Sequence, residues 1–144
     1  MPDYDPNNIF AKILRGEIPC HKVHEDDDTL AFMDVMPRAP GHALVIPKSP
    51  ARNILDIEQA PLSKLILVVQ KVAKASKSAL AADGITLMQF SESAGGQAVF
   101  HLHFHVLPRY QGIALLAPHT NMEANEKLAA NAAKLRAALN ELRG

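Results

Sequence analysis

Apolar residues recur at helical spacing over Ile9, Phe10, Ile13 and Leu14, which predicts a short helix capped by Asn8 and ended at Gly16. Residues 1–8 ahead of it are polar and expected to be loose. Ile18-Pro19 opens an extended stretch. Val23-His24-Glu25 and Thr29–Met33 then read as strands around the acidic turn Asp26-Asp27-Asp28. Pro37, Pro40 and Gly41 make Asp34 to Gly41 a loop, and His42–Pro47 is a short buried strand. A long helix is predicted from Asp56 or Pro61 to Ala82. Its apolar stripe is Leu62, Leu65, Ile66, Val69, Val72 and Ala73, with Lys64, Lys71, Lys74 and Lys77 on the other face. Asp83-Gly84 stops it, Ile85–Phe90 is a strand, and Ser91 to Gln97 is a loop of small residues. Asn121 to Leu142 is a second long helix, rich in Ala and Leu, whose packing partner the pattern leaves open. The sum is α+β, an antiparallel sheet covered on one side by helices, in a single domain spanning 1–144.

One apolar run breaks the pattern of a plain strand. In Phe100-His-Leu-His-Phe-His-Val-Leu-Pro108, histidines stand at 101, 103 and 105. Successive strand residues point to opposite faces, so the three imidazoles share one face, about 7 Å apart. Phe100, Leu102, Phe104 and Val106 share the other. Packing alone gives no reason for three such side chains, because each brings ring nitrogens that need partners.

Composition narrows the chemistry. Fifteen basic residues balance fifteen acidic ones, so no net field draws the chain to nucleic acid. A small molecule is the better partner. No window has the length and hydropathy of a membrane span, and the acidic start Met-Pro-Asp-Tyr-Asp does not read as a signal peptide. The cytoplasm is the default location. The single cysteine, Cys20, excludes an intrachain disulfide and reads as an inert thiol.

Gly95-Gly96-Gln97 directly precedes the histidines. Paired glycines let backbone N–H groups converge as an anion nest, and the Gln97 amide adds a donor. That combination suits a phosphate under nucleophilic attack. A histidine can attack phosphorus through one ring nitrogen when the other holds its proton in a hydrogen bond. Metal ligation is the competing use, since histidines at i and i+2 can reach one zinc. No carboxylate lies in the run or just after it to serve as base or outer-shell partner. Spacing leaves both uses open.

The run Gly95-Gly96-Gln97-Ala98-Val99-Phe100 followed by His101-Leu102-His103-Phe104-His105-Val106 resembles the motif of the histidine-triad (HIT) nucleotide hydrolases and transferases. Asn8 to Pro19, Glu25 to Asp27, Leu30 to Asp34 and Ala39 to Lys48 resemble that family's blocks in the same order. The match is closest to the Hint-like branch. The resemblance implies a HIT fold, with one long helix packed against the sheet and a C-terminal helix. It implies cleavage of an AMP-like nucleoside monophosphate from a phosphoramidate or related conjugate through a phosphohistidine. It also implies a homodimer, a purine nucleotide as substrate, and neither cofactor nor metal.

By the same resemblance, His103 is the nucleophile, His101 and His105 flank it, and His42 packs beside them. Gln97 and the amides of Gly96, Ala98 and Val99 hold phosphate. Asp34 accepts from ribose hydroxyls, and Ile9, Phe10, Ile13 and Phe32 line a slot for the base. Taken alone, Asp34 reads as a loop cap, His42 as a satisfied structural histidine, and the first-helix stripe as core. Ala98 departs from the family's usual Ser or Thr, whose hydroxyl can reach the leaving atom. Phe90-Ser91 stands where an Asn or Gln contact is common, which Ser91 or Gln89 would have to replace. Asn8 and Ala11 occupy the positions of a zinc-binding Cys pair found in some relatives, so that site is not expected. Two other readings remain: a non-catalytic nucleotide-binding or scaffold protein, and a metal-dependent hydrolase with the histidines as ligands.

Overall fold

The computed structural model describes residues 1–143. Five strands form one antiparallel sheet: β1 (Lys22–Glu25), β2 (Thr29–Met33), β3 (Ala43–Pro47), β4 (Gly84–Met88) and β5 (Phe104–Arg109), in the order β1-β2-β3-β5-β4. Every residue of β2 and β3 is buried, because both faces of the sheet are covered.

Helices α2 (Gln59–Ala79) and α3 (Asn125–Arg143) cover one face. Ala31, Met33, Ala43, Val45, Leu102 and Val106 pack there against Leu65, Val69 and Val72 of α2 and Leu128, Ala132 and Leu135 of α3. The last helix thus packs on α2 and reaches β1 and β2. The alternate residues Leu30, Phe32, Leu44 and Ile46 point to the opposite face, where α1 (Ile9–Leu14) covers them with Phe10, Ile13 and Leu14. Helices therefore lie on both faces, not on one as the sequence suggests.

Three further expectations shift. On α2 the buried arc is Leu65, Val68, Val69, Val72, Ala75 and Ser76, and Ile66 is 43% exposed. The true arc keeps the i, i+3, i+4 spacing but lies slightly to one side of the stripe read from the largest residues. Strand β5 begins only at Phe104, so His101 and His103 precede it. There the ladder is replaced by other bonds: Leu102 N–H donates to the Ala51 carbonyl, and the carbonyls of His101 and Pro47 accept from imidazoles. Residues 1–8 are tied down, with Tyr4 bonded to His101 and Asn8 capping α1 through Ala11 N–H.

Candidate active site

Strand register assembles the histidines. Leu44 pairs with His105 across β3 and β5, and Phe32 pairs with Leu44 across β2 and β3. His42 and Leu44 have the same parity, as do Phe32 and Asp34 (Asp34 N–H donates to the His42 carbonyl). Side chains of equal parity share a face, so Asp34, His42 and His105 all project to the side that α1 covers. Diagonal neighbours across antiparallel strands are within reach of long or aromatic side chains. The His42 and His105 rings lie 5.1 Å apart, those of His103 and His105 4.9 Å apart. Phe10 of α1 meets His103 edge-on at 4.9 Å.

Hydrogen bonds fix the proton on every ring. A carbonyl only accepts, so His101 Nε2–H donates to the Pro47 carbonyl at 2.8 Å. Its Nδ1 accepts from the Tyr4 hydroxyl at 2.6 Å. His103 Nδ1–H donates to the His101 carbonyl at 2.7 Å. That leaves His103 Nε2 unprotonated, with no hydrogen bond among the described residues. Arg38 N–H donates to His42 Nδ1 at 3.1 Å, so the His42 proton sits on Nε2 and donates to His105 Nδ1 at 2.9 Å. His105 then carries its own proton on Nε2. The cluster presents one lone pair, on His103, and one N–H donor, on His105.

Burial keeps the rings neutral, because an imidazolium is costly to desolvate. It pulls the His42 pKa down to about 3, helped by Arg38 and His103. It pulls His101 to about 4 against the opposing Pro47 bond, and His105 to about 3 with the charges of His103 and His42 adding. His103 is lowered by burial too, opposed by its bond to the His101 carbonyl. Asp34 is raised by burial. One Asp34 oxygen accepts from Met36 N–H at 2.8 Å and the other lies 3.5 Å from His42 Nε2.

The loop ahead of the triad differs from the nest read from its glycines. The N–H of Gly96 donates to the Ser93 carbonyl, and those of Gly95 and Gln97 donate to the Glu92 carbonyl. The Gln97 side chain is saturated as well. Its amide protons go to the carbonyls of Arg52 at 2.7 Å and Val99 at 3.0 Å, and its Oε1 accepts from Glu92 N–H and Asn53. Gly96 and Gln97 therefore have no donor to spare for phosphate. They shape the loop, while the Ala98 and Val99 N–H groups carry no bond among the described residues. Gly96 is at φ 98°, a conformation that strains any residue with a side chain, and it lies in contact range of the Phe90 ring.

Sequence reasoning missed the clamp behind this loop. Arg52 grips Glu92 with two bonds at 2.7 and 3.1 Å, and fully buried Asn53 bonds both Glu92 and Gln97. Arg52 also lies 4.1 Å over the Phe100 ring. These are common surface residue types, and nothing in their spacing marks them. Gln89 is turned to Ile54 N–H and Ser91, while the Phe90 ring sits 5.5 Å from His105. Neither Gln89 nor Ser91 joins the histidine cluster through a hydrogen bond.

Of the proposed base slot, Phe10 and Phe32 are buried and meet edge-on at 5.5 Å. Ile13 is half-buried, and Ile9 is 47% exposed. The aromatic pair is buried, with the isoleucines nearer solvent.

Asp34, His42 and His105 each offer a ligand atom within 4.8 Å of the others. They fit a metal poorly. His42 Nδ1 already accepts from Arg38 N–H, so ligation through Nε2 would demand an imidazolate or loss of that bond. The same bonds suit a fixed tautomer chain.

Comparison with known proteins agrees with this geometry. The family model described as HIT domain matches residues 15–112. A Hit-like protein of Bartonella henselae, described as involved in cell-cycle regulation, superimposes with a TM-score of 0.90 at 55% identity, covering 95% of this chain and 99% of that one. A histidine triad nucleotide-binding protein of Candida albicans superimposes with a TM-score of 0.70 at 31% identity, covering 94% and 99%. The adenylylsulfatase HINT3 of Arabidopsis thaliana is 32% identical over 127 residues, 88% of this chain and 64% of that protein. With the triad, its fourth histidine and the sheet that carries them in place, the chain belongs to the HIT family.

Proposed function

We propose that this protein is a nucleotide-binding hydrolase or nucleotidyl transferase that cleaves an AMP-like nucleoside monophosphate from a phosphoramidate or related conjugate. The observation that carries the reading is the unprotonated Nε2 of His103, set by the bond from its Nδ1 to the His101 carbonyl. That lone pair attacks the α-phosphorus. An N–P bond forms, the bond to the leaving group breaks, and the leaving group takes a proton from water while His105 Nε2–H hydrogen-bonds to it. Water then attacks the phosphorus, the N–P bond breaks, and one proton of that water returns to solvent. The nucleoside monophosphate leaves. The Ala98 and Val99 N–H groups face the phosphoryl oxygens, Asp34 takes the ribose hydroxyls, and the base lies over Ile9, Ile13, Phe10 and Phe32. Preference for a purine comes from the family resemblance and from relatives named as a nucleotide-binding protein and an adenylylsulfatase.

The reading includes a homodimer. β4 is an edge strand with Leu87 exposed, and α2, which packs against it, exposes Ile66 and Leu67. An open edge beside exposed apolar residues is a site for pairing with a second copy. No described helix is long and apolar enough to cross a membrane, and a nucleotide substrate accords with the cytoplasmic location expected from the sequence.

Release of a fluorogenic amine from an adenosine 5′-phosphoramidate tests the function. Turnover that survives EDTA supports the metal-free route. A metal-dependent hydrolase with its ion at Asp34, His42 and His105, which the bond from Arg38 N–H to His42 Nδ1 disfavours, would instead lose activity to EDTA and recover it with zinc. AMP binding with no turnover would favour a binding protein.

A further inference from the structure

The eight residues ahead of α1 hold one group against the triad that the catalytic reading does not use. The Tyr4 hydroxyl lies 2.6 Å from His101 Nδ1, and its ring meets the imidazole edge-on at 5.6 Å. The same hydroxyl accepts from Asn8 Nδ2 at 3.0 Å. Asn8 is also the N-cap of α1, with its Oδ1 taking Ala11 N–H at 2.9 Å. One chain of bonds therefore runs from the N-cap of α1 through Tyr4 and across the His101 ring to the Pro47 carbonyl.

We propose that Tyr4 is a positioning residue for the phosphohistidine chemistry, bonding His101 Nδ1 so that the ring stays locked on Pro47 and fixes the backbone carbonyl that orients His103. The inference rests on the proposed function for its kinetic consequence only.

His101 is fully buried, so its two nitrogens must both be satisfied inside the protein. Nε2 faces a carbonyl and Nδ1 faces Tyr4. If Tyr4 donates, the ring has one proton position, because Pro47 cannot donate. Remove that hydroxyl and Nδ1 loses its donor. The Nε2–H bond to Pro47 remains, but the buried ring keeps an unpaired acceptor and is held at one nitrogen only, free to tilt with the backbone that carries it. The segment that carries the His101 carbonyl is not held by a sheet ladder, since β5 starts at Phe104. The His101 side chain is thus one of the few ties on the carbonyl that receives the His103 proton. Asn8 adds direction. By donating to Tyr4 it occupies the hydroxyl's acceptor site and leaves the phenolic proton for His101.

Two variants and two readouts test this. Tyr4→Phe keeps the ring contact and deletes the hydroxyl. Asn8→Asp keeps the acceptor that caps α1 and replaces the donor with a carboxylate that competes for the Tyr4 proton. The first readout is the nitrogen-15 imidazole spectrum of the substrate-free protein, which reports the His101 tautomer directly. The native protein is expected to show a protonated Nε2 and a hydrogen-bonded, unprotonated Nδ1; Tyr4→Phe should keep Nε2–H but move Nδ1 to the shift of an unbonded nitrogen, and Asn8→Asp should give a mixture with Nδ1–H. The second is turnover of the adenosine phosphoramidate. Both variants should lose about tenfold in kcat, the order expected for one positioning hydrogen bond, with KM and AMP affinity within about twofold. An unchanged Nδ1 shift in Tyr4→Phe would overturn the proposal. So would a kcat within twofold of native in an active enzyme. An inactive native protein would sink the proposed function instead, and the tautomer spectrum would still decide the role of Tyr4.

Discussion

A histidine's chemistry depends on what its second nitrogen touches. In this cluster, His101, His103 and His42 each have one tautomer set by a backbone group that can only donate or only accept, and His42 in turn sets that of His105. This distinguishes His103 from its neighbours more sharply than its central place in the sequence does. His103→Ala should abolish turnover while AMP binding stays within about tenfold, or about 1.4 kcal/mol. Near-native turnover would remove His103 as the nucleophile. Ala98 makes a second test at this scale. Its methyl is exposed, and the family resemblance implies a Ser or Thr hydroxyl at this position that assists departure of the leaving group. Ala98→Ser should raise turnover most for the most basic amine leaving groups. An equal rate across amines of different basicity would show that the missing hydroxyl is irrelevant.

At the scale of elements, the clamp of Arg52, Asn53 and Glu92 holds the loop that presents the Ala98 and Val99 amides. Asn53 is fully buried and spends its amide on Glu92 and Gln97. Asn53→Ala strips a partner from buried polar atoms, a change that costs about 1–3 kcal/mol. Chemical denaturation should register that loss, and KM for the nucleotide conjugate should rise with it. Unchanged stability and KM would mean that the loop holds its shape without the clamp.

The contrast between β3 and the Gly95-Gly96 loop shows what a sequence conveys. The short apolar runs of β2 and β3 were legible as strands because their pattern is local. The histidine run was legible as a cluster of imidazoles, since core packing does not call for them at every second position. Its secondary structure was not, because side-chain bonds to the carbonyls of Pro47 and His101 replace the expected ladder. Gly96 and Gln97 read as phosphate donors from composition alone, yet long-range partners such as Arg52 consume the Gln97 amide. Tyr4 sits in a polar segment with no periodicity, and its partner is 97 positions away.

Two consequences belong to the whole molecule. His42, His101 and His105 have pKa values of about 3, 4 and 3 against an ordinary 6.5. The folded state thus binds fewer protons than the unfolded chain between those values and 6.5. The stability they allow is complete above pH 6.5 and declines as pH falls from there toward about 3. Denaturation midpoints at pH 7.5 and 5 should differ accordingly, and His105→Asn should shrink the difference. A flat profile would mean that these rings accept protons while the protein stays folded. The second consequence is assembly. Sedimentation should report a dimer for the native chain and a monomer for the double variant Leu67→Asp, Leu87→Asp. A native monomer, or a variant that stays dimeric, would place the contact elsewhere or nowhere.

The central claim is covalent chemistry at one nitrogen without a metal. Rapid quench of the protein with an adenosine 5′-phosphoramidate in EDTA, followed by peptide mass spectrometry, tests it most directly. The account predicts an AMP adduct on His103 that forms and decays at rates matching turnover. Turnover in EDTA with the adduct on another residue would contradict it, as would activity lost to EDTA and restored by zinc.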